Sequence, residues 1–174
     1  MSVRYSTFAA IVAVLFIMVV CTKPPVETAE LKTFPLDNLD GIIDQSGIQM
    51  DMHTSSDGNG AAKITVRDST TVRLFEVEDL DIDNARLIYQ AKVRCQDVEG
   101  LAFLEMLCHF PGKGDFFSRN LQNPLRGSTG WATEETFFML KKGEKPDIVK
   151  LNLVITGKGT VWVDDISLSK ASLQ

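Results

Sequence analysis

Two carboxylates stand side by side at Asp164-Asp165, and a thiol stands beside an imidazole at Cys108-His109. Either pair holds residue types capable of chemistry. Two carboxylates can divide general acid and base work, and a thiolate activated by histidine can act as a nucleophile. Both pairs fall inside alternating apolar runs that read as β-strands, however. Neighbouring side chains of a strand point to opposite faces, so the members of each pair diverge and cannot flank one bond. His53, the other of the two histidines, has no partner at a metal-binding spacing such as His-Glu-x-x-His. Gly58-Asn59-Gly60 reads as a turn, and no Gly-x-Ser-x-Gly elbow occurs. The residues argue against catalysis.

The elements that carry these residues are short and alternating throughout. Residues 48–53, 62–67, 71–77, 87–95, 101–110 and 131–140 read as strands, punctuated by turn clusters such as Ser55 to Gly60 and the acidic loop of residues 79–84. In residues 150–168, two further runs flank Gly157-Lys158-Gly159, a signal for a closing hairpin. No stretch shows sustained helical periodicity. Eight or nine strands without crossover helices indicate an all-β fold, an antiparallel β-sandwich.

Pairing residues 87–95 with 101–110 as a hairpin places Lys92 and Arg94 on one face with Phe103, Glu105, Leu107 and His109. Two bases, an acid, a histidine and two apolar groups make either a ligand cleft or a solvated face with cross-strand ion pairs. The same register sets Cys95 and Cys108 about 20 Å apart along the ladder, beyond bridging distance, and leaves both as buried thiols. Trp162 alternates with Val161 and Val163 and points away from them, either as a second-layer core residue or as an exposed ligand platform. Asp164-Asp165 interrupts the alternation of the last run. Burying such a pair requires a cation, backbone N–H groups or solvent at a sheet edge.

Charge and the amino terminus bound the setting. The 174-residue chain carries a formal net charge of −5, which speaks against nucleic acid because no basic stripe is present to displace counterions. Arg4 precedes an uninterrupted apolar run over residues 8–21, short of the roughly 20 residues of a full span and matched to a signal-peptide core. Cys21 stands where a lipoprotein carries its acylated cysteine, although Met18-Val19-Val20 departs from the small-residue pattern before it. Lipidation at Cys21, an uncleaved signal anchor and simple secretion are the three alternatives. All three place the domain outside the cytoplasm, in or beyond the cell envelope. Residues 22–35 read as a polar, proline-containing linker, and residues 36–170 as the single domain.

The run from Leu104 through Pro111-Gly112-Lys113-Gly114-Asp115 to Arg119, then Gly130-Trp131 through Phe137-Phe138, then Lys145-Pro146-Asp147, then the closing Val161-Trp162-Val163-Asp164-Asp165-Ile166-Ser167-Leu168, has the order of features of jelly-roll carbohydrate-binding modules. The ending resembles the last strands of galactose-binding-like jelly rolls. The whole is also similar to small exported bacterial envelope proteins that carry this domain alone. The resemblance implies sugar recognition by aromatic platforms and polar side chains. It further implies a structural calcium ion held by Asp164 or Asp165, with Asp37 or Asp40 supplying the other side. The aromatic inventory is thin for this role: Leu107 stands where a stacking ring would serve, and Phe116-Phe117 lie on a segment that either reaches a ligand or folds under as a plug. The sequence thus points to a non-catalytic exported binding module for carbohydrate or another envelope ligand, with Lys92, Arg94, Phe103, Glu105, His109 and Trp162 as its contacts. The alternative is a structural protein that docks another envelope protein through its sandwich face.

Overall fold

The computed structural model describes residues 28–173, so the apolar run and Cys21 lie outside the described residues. Eleven strands follow one another: β1 (Thr28–Phe34), β2 (Ile48–Asp51), β3 (Ala61–Val66), β4 (Thr70–Glu78), β5 (Ala85–Gln96), β6 (Val98–Phe110), β7 (Gly114–Arg119), β8 (Leu125–Gly127), β9 (Ala132–Leu140), β10 (Ile148–Thr156) and β11 (Gly159–Ser172). Among the described residues there is no helix, and hence none long and apolar enough to cross a membrane.

The strands form two antiparallel sheets. The first runs β2-β3-β11-β5-β9, with β1 added beside the second half of β11 and β3 beside its first half. The second runs β4-β10-β6-β7, with β8 beside the first part of β6. Alternation sends Leu87, Tyr89, Ala91, Val93 and Cys95 of β5 inward against Leu104, Met106, Cys108 and Phe110 of β6. Val149, Leu151, Leu153 and Ile155 of β10 and Val161, Val163, Ile166 and Leu168 of β11 complete the same core. This is the jelly-roll β-sandwich expected from the sequence.

Two strand pairings expected from the sequence do not form. β5 and β6 lie in opposite sheets, joined by the single residue Asp97 in a left-handed conformation (φ 52°). β10 and β11 likewise lie in opposite sheets, so the Gly157-Lys158-Gly159 turn is a corner and not a hairpin. Period-2 alternation specifies which face a side chain takes, and both a hairpin and a corner satisfy it. The two corners pack on each other. Glu99 N–H donates to Lys158 O at 2.9 Å, and a Cβ on Gly100 would fall 1.5 Å from Thr156 O. Only glycine allows that approach.

Two further differences concern the termini and the cysteines. Residues 28–34, read as linker, form edge strand β1, whose mostly exposed side chains gave no apolar pattern to detect. Cys95 and Cys108 are free and buried, as expected, but they sit in opposite sheets and not along one hairpin. Burial pushes their thiols up to about 11 and about 12.

Candidate functional site

The corner at Asp97 divides the residues that the sequence grouped on one face. Lys92, Arg94 and Trp162 project from the outer face of the first sheet, whereas Phe103, Glu105, Leu107 and His109 project from the outer face of the second. The expected single face is therefore two separate surfaces with the hydrophobic core between them.

On the second sheet, antiparallel register aligns side chains in rows across the strands. Arg73 of β4, Asn152 of β10, Glu105 of β6 and Arg119 of β7 are successive partners in one row. The next row holds Glu76, Lys150, Leu107 and Phe117, and the one beyond it Glu78, Ile148, His109 and Asp115. At about 4.8 Å per strand, a four-strand row spans roughly 14 Å.

The first of these rows is polar at its centre and enclosed. Glu105 is 5% exposed and Asn152 4%. Glu105 accepts from Arg119 Nε at 2.5 Å through one oxygen and from Asn152 Nδ2 at 3.1 Å through the other. A carboxylate this buried requires such partners, because desolvation otherwise exceeds what one contact returns. Asn152 Oδ1 is buried and accepts nothing among the described residues. At the far end of the row, Arg73 forks onto Asp44 at 2.7 Å. The neighbouring rows are paired as well: Lys150 Nζ lies 3.0 Å from Asp115, and His109 Nδ1 lies 2.6 Å from Asp147. That contact holds the Asp147 carboxyl below its ordinary range.

Alternation along β7 sends the two adjacent phenylalanines to opposite faces. Phe116 packs edge-on to Phe110, with centroids 5.7 Å apart, beside a cleft of about 90 Å³, and stays 47% exposed. Phe117 turns outward, is 60% exposed and carries the Arg119 guanidinium 4.3 Å from its ring centroid. A flat, exposed ring beside a buried hydrogen-bonding cluster is therefore present on this face. Leu107 is its cross-strand partner. Sequence reasoning missed Arg73, Asn152 and Arg119, since which strand lies beside β6 is not written in β6 itself.

On the first sheet, Trp162 is 4% exposed although it faces outward. Its cross-strand partners Lys63 and Arg94 cover the ring, at 5.3 and 5.5 Å from its centroid. Its indole N–H donates to Asp51 at 2.9 Å, which with the backbone N–H of His53 lowers the Asp51 carboxyl to about 2. Trp162 is thus a second-layer floor and not an exposed platform.

Asp164 and Asp165 mark a β-bulge: the ladder between β11 and β5 slips between Asp164 and Ser167, and Asp165 takes φ 48°. Asp164 is fully buried. Its oxygens accept from Ser56 N–H at 2.9 Å and Asp165 N–H at 3.0 Å, while Ser56 Oγ donates to Asp165 at 2.9 Å. Asp37 is exposed in the segment after β1. Among the described residues, no three carboxylate, histidine or cysteine side chains converge, and the Asp164 oxygens are already engaged by N–H groups. Calcium takes six to eight oxygens, backbone carbonyls among them, whereas the contacts of Asp164 here are N–H donors.

No protein-family model matches the sequence, and no curated relative matches it. Solved structures are similar in fold. The CBM22-1 xylan-binding domain of Paenibacillus barcinonensis Xyn10C superposes with a TM-score of 0.61 at 12% identity, over 86% of this chain and 99% of that domain. A family 16 carbohydrate-binding module superposes with a TM-score of 0.55 at 14% identity, over 75% of this chain and 91% of that one. Arabinose-bound MgGH51 α-L-arabinofuranosidase matches with a TM-score of 0.54 at 11% identity, over 80% of this chain but 25% of the enzyme. The fold is that of the β-sandwich carbohydrate-binding modules, a fold that also occurs within larger glycosidase chains.

Proposed function

We propose that this chain is a non-catalytic glycan-binding domain whose ligand lies across the outer face of the β4-β10-β6-β7 sheet. The observation that carries this reading is the row Arg73-Asn152-Glu105-Arg119 beside exposed Phe117. The ring offers an apolar face to a pyranose. The cluster offers donors and acceptors at a depth where hydrogen bonds gain from exclusion of water. Charges on the face are largely neutralised within it, which suits an uncharged polysaccharide. The xylan-binding function of a structural neighbour supports the ligand class. The apolar segment of residues 8–21 supports export and tethering at the cell envelope.

The test is affinity electrophoresis of the full chain, purified in neutral detergent, through gels containing xylan or other neutral β-linked glycans. Retention should fall about tenfold or more for Phe117→Ala, an exposed site whose loss leaves stability within about 0.5 kcal/mol. It should be unchanged for Arg94→Gln on the opposite sheet. Equal retention of wild type and Phe117→Ala would overturn the assignment of this face. Docking to another envelope protein is the second reading, favoured by Phe137 and Met139, both nearly half exposed on edge strand β9. It predicts concentration-dependent association of the full chain that Phe137→Ser abolishes.

A further inference from the structure

We infer that the opposite face, the outer surface of the first sheet around Trp162, is a second binding site, and that it takes an acidic polysaccharide. The chain is acid-rich, with 23 Asp and Glu against 18 Lys and Arg. Even so, Lys63, Lys92 and Arg94 take part in none of the ion pairs among the described residues. All three are half-buried and share this one face.

Their placement is built, not loose. Asp51 pins the edge of the Trp162 indole, and the ring in turn seats the Lys63 ammonium and the Arg94 guanidinium at 5.3 and 5.5 Å. Cation–π contacts of this kind orient a charge without neutralising it. Lys92 Nζ is held by Thr133 Oγ1 at 2.8 Å, again by a neutral group. Arg94 Nε is buried and donates to nothing among the described residues, so no acidic group of the described chain claims this guanidinium. Two carboxylates lie close by and offset part of this charge, Asp51 bound by the indole and two backbone N–H groups and Asp164 fully buried under Ser56, but three cations against two carboxylates leave the face positive.

Geometry selects the ligand class. Lys63 and Arg94 flank β11, so their backbones lie about 10 Å apart, and Lys92 stands one pleat, about 6.5 Å, along from Arg94. Cations carried on two strands, and on two successive outward positions of one of them, can meet several acidic groups carried by an extended chain. Beyond Lys63 the face opens into a cleft of about 480 Å³ bounded by residues 49–54, which gives such a chain room to continue. This site does not depend on the neutral-glycan face, from which it is separated by the whole core.

The experiment is affinity electrophoresis of the full chain in neutral detergent, with polygalacturonate in the gel and single-stranded DNA as a polyanion that carries no uronic acid. Wild type should be retained by polygalacturonate in low salt and released in about 1 M salt, where the screening length is about 3 Å. The double variant Lys63→Gln, Arg94→Gln should lose at least about tenfold in apparent affinity, while Phe117→Ala should keep it. Trp162 fluorescence, read in a Trp131→Phe background, should change on adding polygalacturonate. No retention of folded wild type, retention unchanged in the double variant, or equal retention by single-stranded DNA would each overturn the proposal. A loss caused by Phe117→Ala would place the acidic glycan on the other sheet and would likewise contradict it.

Discussion

Asp51 and Asp164 respond to acid with opposite signs, and both sit under the same surface. The indole N–H of Trp162 and the His53 N–H favour the charged form of Asp51 and lower its carboxyl to about 2 from an ordinary value of 3.8. Its contribution to stability is therefore present above the ordinary value and is lost as pH falls from about 4 towards 2. Burial raises the Asp164 carboxyl, so its cost is present at neutral pH and is relieved as pH falls through that raised value. Trp162 fluorescence in a Trp131→Phe background should hold steady to about pH 3 and change below it, and Asp51→Asn should produce that change at neutral pH. The cysteines give a second check at this scale. With their thiols raised to about 11 and about 12, Cys95 and Cys108 should resist a disulfide reagent near pH 8 in a Cys21→Ser background, and react only on unfolding. Prompt labelling of the native chain would contradict their placement in the core.

The elements show what alternation can and cannot specify. Residues 87–95, 101–110, 131–140 and 150–168 were legible as strands, and so were their inward faces, because a two-residue period in apolar side chains has one physical reading. The break at Asp164-Asp165 was legible as an irregularity and is the bulge that keeps Ile166 and Leu168 facing the core. What alternation left open was partnership. Asp97 and Gly157 to Gly159 turn the chain into the opposite sheet, and a turn of few residues looks the same whether it makes a hairpin or a corner. That one ambiguity moved Lys92 and Arg94 away from Glu105. It also hid Asn152 and Arg119, whose adjacency to Glu105 exists only once β10 and β7 flank β6. The corners carry a prediction of their own. Gly100→Ala forces a Cβ onto Thr156 O, which backbone movement alone can relieve, and should cost roughly 2–3 kcal/mol or more. For a domain of this size, a thermal scan should show a fall of about 4–12 °C. Gly130→Ala, which meets open space, should leave the midpoint nearly unchanged.

At the scale of the whole molecule, the sandwich presents two outer faces of different character. One has its charges largely paired and an exposed phenylalanine; the other carries three cations that form no ion pair among the described residues. The resemblance to carbohydrate-binding modules implied calcium at the end of the last strand; Asp164 there accepts from the N–H groups of Ser56 and Asp165, which hold it without a cation. Chelation with EDTA should accordingly leave the melting temperature of the full chain unchanged, and a fall of several degrees would show that an ion is part of the fold. The central claim is that a neutral glycan lies across β4, β10, β6 and β7. The most direct measurement is amide chemical-shift mapping as a β-1,4-linked xylo-oligosaccharide is titrated to millimolar concentration. The account predicts shifts concentrated at Arg73, Asn152, Glu105, Phe117 and Arg119. Shifts confined to the Trp162 face, or none in a folded sample, would contradict it.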